Sequence, residues 1–585
     1  MKLVIVESPA KSKKIAGFLG QGWRVEACLG HVRDLPETEL GVEVAADFRP
    51  TYEVLPGKGN VVRKLLKAIK DAEAVYVATD PDREGEAIAW HLLKLANVPK
   101  DKPVYRALFH AITQDAVREA IAHPRALDVN LVEAQQARRI VDRLVGYLAS
   151  PLAAKALDGK FSAGRVQSVC LRLVVERERE IETFAPEIFW TLALRLAADG
   201  EEFTAKLHRV KGADSAFKTR EPLDKLVTLL QTAQVWVGKA GRSVKARQPL
   251  PPFTTSSLQQ AASKGLGLSP DKTMALAQTL YEQGWITYMR TDGVSIAPEA
   301  QEAAREYIAR EHGADYLPPE PPTYTVKTAN AQEAHEAIRP TDVSRLPQDV
   351  DGDGAALYAL IWKRFVASQM SPALYTVTGA VIYAGKAQGQ PFPLEFRAQG
   401  RSLLFDGFLK VYEEPADEGE EGNEETGTLP PLKENQSLKL VAPLVEDHQT
   451  RSPARYTEAA LVQALEQRGI GRPSTYASMV KTVKDRGYVK VSQKRLVPTE
   501  NGIALCDFLT AHFADVLAYD YTARLEDQLD RIAVGNTTRL EVLRAFWEGF
   551  NPHLSRATEY ALAQVKARHT PKPLTLRARD ALAEE

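Results

Sequence analysis

A chain of 585 residues is too long for one hydrophobic core and implies about four domains at roughly 150 residues each. Its 44% hydrophobic and 26% charged residues suit a folded globular protein. No apolar run approaches the ~20 residues of a bilayer span, and three scattered cysteines (Cys28, Cys170, Cys506) without a CxxC pair argue against a zinc ribbon or disulfide scaffold and for a reducing cytoplasm.

The net charge of -1 hides an asymmetry, because residues 413–425 carry eight acids and no base, leaving 75 Lys and Arg against 68 acids elsewhere. Basic stripes recur at 11–14, 135–143 and 484–495, which suits a nucleic-acid groove as readily as solvated helix faces. In chain order, "KLVIVES" reads as a buried strand and "KSKKIAGFLG" as a helix. "AEAVYVATD" (72–80) is a second buried strand running into the helical "EGEAIAWHLLKLA", and "PVYRALF" is a third strand. This alternation predicts an α/β domain with a largely parallel sheet over residues 1–130. Residues 131–185 read as helical. "FWTLALRLAADGEEFTAKLHRV", within 186–250, alternates like an antiparallel hairpin, and "SPALYTVTGAVIYAGK" to "FPLEFRAQG", within 371–440, does the same. These β-rich pieces are expected to form one domain interrupted by residues 251–370. The acidic run 413–431 is expected to be a flexible loop, 441–560 a second helical part, and 561–585 a poorly ordered tail.

A gapless shift of 203 positions aligns Thr254 with Thr457, Leu258 with Leu461, Pro270 with Pro473 and Gly284 with Gly487, and places Trp285 on Tyr488. Each copy predicts a capped helix, a Gly-containing turn, a Pro-started helix, a Gly stop and a strand: a winged helix-turn-helix, twice. The second strand carries Lys490, Lys494 and Arg495, whereas the first carries Tyr288.

The sharpest chemical motif is "ATDPDREGEA" (78–87), with Asp80, Asp82 and Glu84 at alternate positions just past a buried strand. Pro81 disfavours helix at Asp80, so the run starts extended, with alternate side chains on one face. Three converging carboxylates would repel unless a divalent cation such as magnesium sat among them; an acidic helix N-terminus is the plainer reading. Glu7 and Lys11 end the first strand of the same unit, a carboxylate for metal or general-acid work and a cation for phosphate, though taken alone they read as a helix N-terminal Glu and a surface Lys. No GxxxxGK[ST] run exists, which argues against an ATP-cradling loop. In "GWITYMRTDG" (284–293), a strand over 285–290 would put Tyr288 and Arg290 on one face. A phenol with pKa near ~10 is a poor nucleophile at neutral pH; the guanidinium two residues on can favour phenolate and bind phosphate, though an edge-strand Tyr–Arg pair is the common alternative. In "AHEAIRPTD", His335 and Arg339 lie one helical turn apart, a spacing that can clamp a phosphate, though a lone structural histidine is the common alternative.

These pieces in this order resemble the type IA DNA topoisomerases of the bacterial topoisomerase I kind: "VIVESPAKSKKI", "LGHVRDLP", "ATDPDREGEAIAWHL", "QQARRIVDRLVGY", "FSAGRVQSVCLRLVVERE", "ITYMRTD", "HEAIRPT" and "GIGRPSTYASMVKTVKDRGYV" all match, over about residues 1–550. The resemblance implies a multidomain fold in which a Toprim α/β domain, two helical winged-helix-like domains and a β-rich arch close into a toroidal clamp. It implies that Tyr288 attacks a phosphodiester and holds the 5′ end, with Arg290 and His335 on the phosphate and Glu7 and Lys11 serving the 3′-oxygen. Glu7, Asp80 and Asp82 would hold Mg2+, helped by Glu84. His31, Arg139, Arg143, Ser162, Arg165, Gln167 and Arg472 would line a groove for single-stranded DNA, working through phosphate charge and stacking. It further implies a cytoplasmic, nucleoid-associated monomer that relaxes negatively supercoiled DNA without ATP or zinc. The C-terminus departs from many relatives, having no four-cysteine cluster and no obvious repeat.

Overall fold

Residues 3–6 are a run of four apolar side chains, so the first strand needs cover on both faces. In the computed structural model, which describes every residue except 100, 211, 215–216, 326–335, 388–393, 415–427 and 570–585, that strand lies inside a parallel sheet. The order is Trp23–Ala27, Lys2–Val6, Val75–Val77, Val104–Arg106. Side-chain alternation sends Leu3, Ile5, Val75 and Val77 into one core and Val4, Val6, Tyr76 and Ala78 into another. The second core continues into the unit that carries Tyr288, taking in Leu258, Leu276, Tyr281, Tyr288 and Tyr358. The two units therefore share buried apolar surface.

The two β-rich stretches join in one sheet. Glu201–Val210 pairs with Leu394–Phe405 on one side and Ile188–Ala198 on the other, and the ring continues through Ala373–Gly385, Gln234–Arg247 and Ser437–Gln449 back to Ile188–Ala198. Closure removes most exposed edges. A third core joins Val129–Leu157 and Arg165–Thr183 to the helices from Glu458 onward. The poorly ordered tail expected from 561 is corrected as far as His569. The helix Arg539–His569 runs through that stretch because Phe546, Phe550, Ala557 and Ala561 recur at helical spacing and bury against the third core.

The internal echo is structural at its caps and stops. Thr254 and Thr457 both cap helices, and Gly284 and Gly487 both end the following helix with φ of +68° and +70°. It fails at two other points. Pro473 does not start a helix, which begins at Tyr476. The wing exists only in the second copy, Val489–Ser492 against Arg495–Pro498. In the first copy there is no strand over 285–290. Thr287 N–H donates to Arg339 O (2.9 Å) and Tyr288 N–H to His110 O (2.8 Å), so its donors are divided between two distant segments and no ladder forms. Nor are residues 336–340 helical: Glu336, Ile338 and Pro340 make bridges to Ser295, Phe253 and Ile286. Among the described residues, no helix is long and apolar enough to cross a membrane.

Candidate active site

The loop after Val75–Val77 is held from beneath by Arg106, which is 1% exposed. Its guanidinium donates to the carbonyls of Val77 (3.1 Å), Thr79 (2.8 Å) and Asp80 (2.7 Å), and to Glu86 (2.6 Å). This buried cation fixes the backbone that aims Asp80 and Asp82, and the sequence reading missed it; an arginine inside the apolar "PVYRALF" was the available signal. Asp82 caps the helix Arg83–Ala96 by accepting from Gly85 N–H at 2.8 Å. A Cβ on Gly85 would overlap the Asp80 carbonyl, so only glycine closes this turn.

Asp82 is more than a cap. Its Oδ2 accepts the Tyr288 hydroxyl proton at 2.6 Å and lies 3.7 Å from Arg290. Asp80 bonds the Lys11 ammonium, which is 1% exposed, and the Asp80 N–H donates to Glu7 Oε1 at 2.9 Å. Burial, then Asp80 and Asp82 against the opposing Lys11, pushes the Glu7 carboxyl up to about 8. Burial works against the Lys11 charge, and Asp80 and Glu7 outweigh it and raise its pKa. Glu84 turns away to His31 (3.2 Å) and Gln135 (3.1 Å). Burial pushes its carboxyl up, and His31 more than offsets that to leave it below the usual range.

Tyr288 is 1% exposed. Burial first, then Asp82 and Asp80, raises its pKa well above the usual phenol value, and Arg290 opposes without prevailing. The expectation that Arg290 favours phenolate therefore does not hold in this state: the phenol is protonated and tethered to Asp82. Gly284 fixes the approach of the two units, since at φ +68° a Cβ would lie 2.5 Å from Ile112 O and against the Lys14 ammonium.

The residues expected to line a groove are placed as follows. Arg139 forms a two-pronged pair with Asp34, both bonds 2.8 Å. Arg143 donates to Pro36 O. Arg165 is 1% exposed and bonded to Asp142 (2.9 Å) and Glu526 (2.5 Å), so it is buried rather than presented at a surface. Among the described residues the Ser162 hydroxyl has no hydrogen-bond partner, while its N–H reaches the Tyr488 hydroxyl at 2.7 Å. Gln167 packs against Gly164, where any Cβ would strike its amide. Arg472 pairs with Asp527 (3.0 Å) and Asp530 (2.7 Å), and Asp530 also holds Arg83 (2.6 Å). A cleft lined by Asp82, Arg83, Arg290, Arg472 and Asp530 thus brings Arg472 to the acidic loop. His335 lies outside the described residues.

Behind His31, Arg33 Nε donates to His91 Nδ1 at 2.6 Å with its guanidinium over Tyr52 and Trp90. Burial, then Arg33 and His31, pushes His91 down to about 3. The unfolded chain takes up this proton near pH ~6.5 and the folded protein does not, so stability falls with pH below that value by up to about 1.4 kcal/mol per unit. Melting temperature followed from pH ~7 to ~4 should fall less steeply in His91→Asn than in the parent; equal slopes would remove His91 from the acid limb.

Among the described residues, no three His, Cys, Asp or Glu side chains are gathered as a metal cage. The donor chemistry still fits a small hard cation. Glu7, Asp80 and Asp82 offer only oxygen, and their mutual repulsion, which helps raise Glu7, is what a divalent ion relieves.

The family model described as DNA topoisomerase matches residues 126–544, and that of the Toprim domain matches residues 2–112. The chain is 43% identical over 97% of its length to "DNA topoisomerase 1" of Rickettsia bellii, covering 72% of that protein, and 44% identical over 97% to that of Vibrio cholerae, covering 68%. It covers 47% of the Zymomonas mobilis relative at 43% identity. The solved full-length topoisomerase I of Thermotoga maritima superposes with a TM-score of 0.81 at 38% identity, over 95% of this chain and 90% of that one.

Proposed function

For a chain that belongs to the type IA DNA topoisomerase family, we propose ATP-independent relaxation of negatively supercoiled DNA through a transient 5′-phosphotyrosine at Tyr288. The observation that carries it is the 2.6 Å hydrogen bond from Tyr288 on one unit to Asp82 on another. The nucleophile is parked against the carboxylate that can take its proton, at an interface able to open.

In the forward step Tyr288 Oη bonds to phosphorus as its proton passes to Asp82, and the bond to the 3′-oxygen breaks. Glu7, with Lys11 beside it, supplies the proton that makes the 3′-hydroxyl. Arg290 takes the phosphate charge. Resealing reverses these transfers, and because the phosphotyrosine conserves the diester bond, no ATP is needed. Asp80 and Asp82, with Glu7 beside them, would hold Mg2+, which when bound offsets the crowding of negative charge around the phosphate, while Glu84 stays with His31 and Gln135.

Tyr288 and Lys11 are each 1% exposed, so DNA enters only when the Tyr288 unit separates from the N-terminal unit. The same opening gives passage to the second strand. Residues 1–130 then form the metal-binding domain, 251–370 the nucleophile domain, 131–185 with 441–560 the single-strand groove, and 186–250 with 371–440 the arch. This reading extends to a monomer acting on nucleoid DNA in the cytoplasm.

Relaxation of negatively supercoiled plasmid should need Mg2+, stop with EDTA and proceed without nucleotide. Strict ATP dependence, or undiminished turnover in EDTA, would overturn the reading.

A further inference from the structure

A second tyrosine stands in the same site with no bonding partner among the described residues. Tyr281 is on the helix Pro270–Glu282, one residue before its end, and is 0% exposed. Its ring meets the Tyr288 ring edge-on at 5.2 Å between centroids, and the Lys11 ammonium sits 5.0 Å from its centroid. Its hydroxyl is buried and has no hydrogen-bond partner among those residues. A buried phenol without an acceptor costs on the order of 1–3 kcal/mol, and phenylalanine would fill the same space without that cost. A tyrosine in that place points to an acceptor that the free protein does not supply.

The surroundings limit what that acceptor is. Asp80, Glu7 and Asp82 all act on this phenol, and with burial as the largest cause they keep it protonated far above neutral pH. Its hydroxyl therefore keeps a proton to donate. The site's own carboxylates are engaged elsewhere: Asp80 with Lys11, Glu7 with the Asp80 N–H, Asp82 with Gly85 and Tyr288. What enters this space during the reaction is the phosphodiester attacked by Tyr288.

We propose that Tyr281 is a catalytic residue whose hydroxyl donates a hydrogen bond to an oxygen of the reacting phosphodiester, in cleavage and in resealing alike. No proton is transferred from it. The bond is made only once DNA reaches the closed site, so its energy is spent on the reacting state and not on holding the free protein together. The ring contacts with Tyr288 and Lys11 are separate from this role, and both survive in phenylalanine.

This inference rests on Tyr288 being the nucleophile, and Tyr281→Phe tests it independently. Three quantities are read with Mg2+ present: melting temperature of the free protein, affinity for a labelled single-stranded oligonucleotide, and single-turnover rate of adduct formation. The expected result is a melting temperature equal to or above the parent's, affinity within about twofold, and cleavage slower by about 100- to 1000-fold, as for loss of one donor to a developing charge. Cleavage within about twofold of the parent would overturn the proposal. A lowered melting temperature would overturn it too, because it would mean the hydroxyl is bonded in the free protein. If the parent itself formed no adduct, the failure would lie with Tyr288 and not with Tyr281.

Discussion

Tyr288→Phe should form no covalent adduct with single-stranded DNA, a loss of at least about 10⁴-fold in cleavage, since removing a nucleophile leaves only binding and electrostatics. Denaturant trapping of the protein with an oligonucleotide labelled at either end would read this. The parent should retain the fragment on the 3′ side of the break, held through its 5′ phosphate, and the variant should retain neither fragment. Phenylalanine keeps the ring against Tyr281 and loses only the hydroxyl that Asp82 accepts. The fold and the groove should therefore be intact, and single-strand affinity should stay near the parent's. That combination separates a missing nucleophile from a collapsed site. Adduct persisting in Tyr288→Phe would reassign the nucleophile, and the buried neighbour Tyr281 would be the first residue to examine.

What could be read from the sequence was what depends on neighbours in sequence. The buried strands around 3–6 and 75–77 announce themselves as apolar runs, and the paired glycines at 284 and 487 mark left-handed helix stops whose requirement is local. The order of carboxylates at 80–84 and the tyrosine at 288 carried the site. The backbone around Tyr288 was misread as a strand because its partners, His110 and Arg339, are remote and lie in different units. Alternation of side chains cannot report where a backbone donor goes. Arg106, Glu526 and Asp530 were overlooked for a related reason. A single charge in an apolar strand or a helical pattern looks like a solvated face until the opposing charge is placed beside it. The family resemblance implies Arg165 on the groove surface, whereas its two carboxylate partners hold it buried.

Those overlooked charges lead to the largest expected effect on stability, at Glu526. This carboxylate is 0% exposed in the helix Tyr519–Ala533 and bonds Arg138 and Arg165, with Arg472 close enough to act on it. Burial alone raises its pKa; the three arginines outweigh that and hold it below the usual carboxylate range. Some guanidinium N–H groups of Arg138 and Arg165 already lack a partner among the described residues. Glu526→Gln removes the charge that bonds both cations from this helix, and uncompensated buried charge of this kind costs about 3–5 kcal/mol. The sign follows from the depressed pKa. The contribution is present above the unfolded carboxylate value and is lost as pH falls through the folded one, so parent and variant should converge in acid. The loss should reach the site as well. Asp530, one turn along the same helix, holds Arg83 of the acidic loop and Arg472 of the groove. A loosened helix frees both arginines, so weakened oligonucleotide binding should accompany the lower melting temperature. Thermal unfolding at pH ~7 and ~4, with oligonucleotide titration, measures all of this. A melting temperature within a degree or so of the parent's at neutral pH would mean that the arginines do not depend on Glu526.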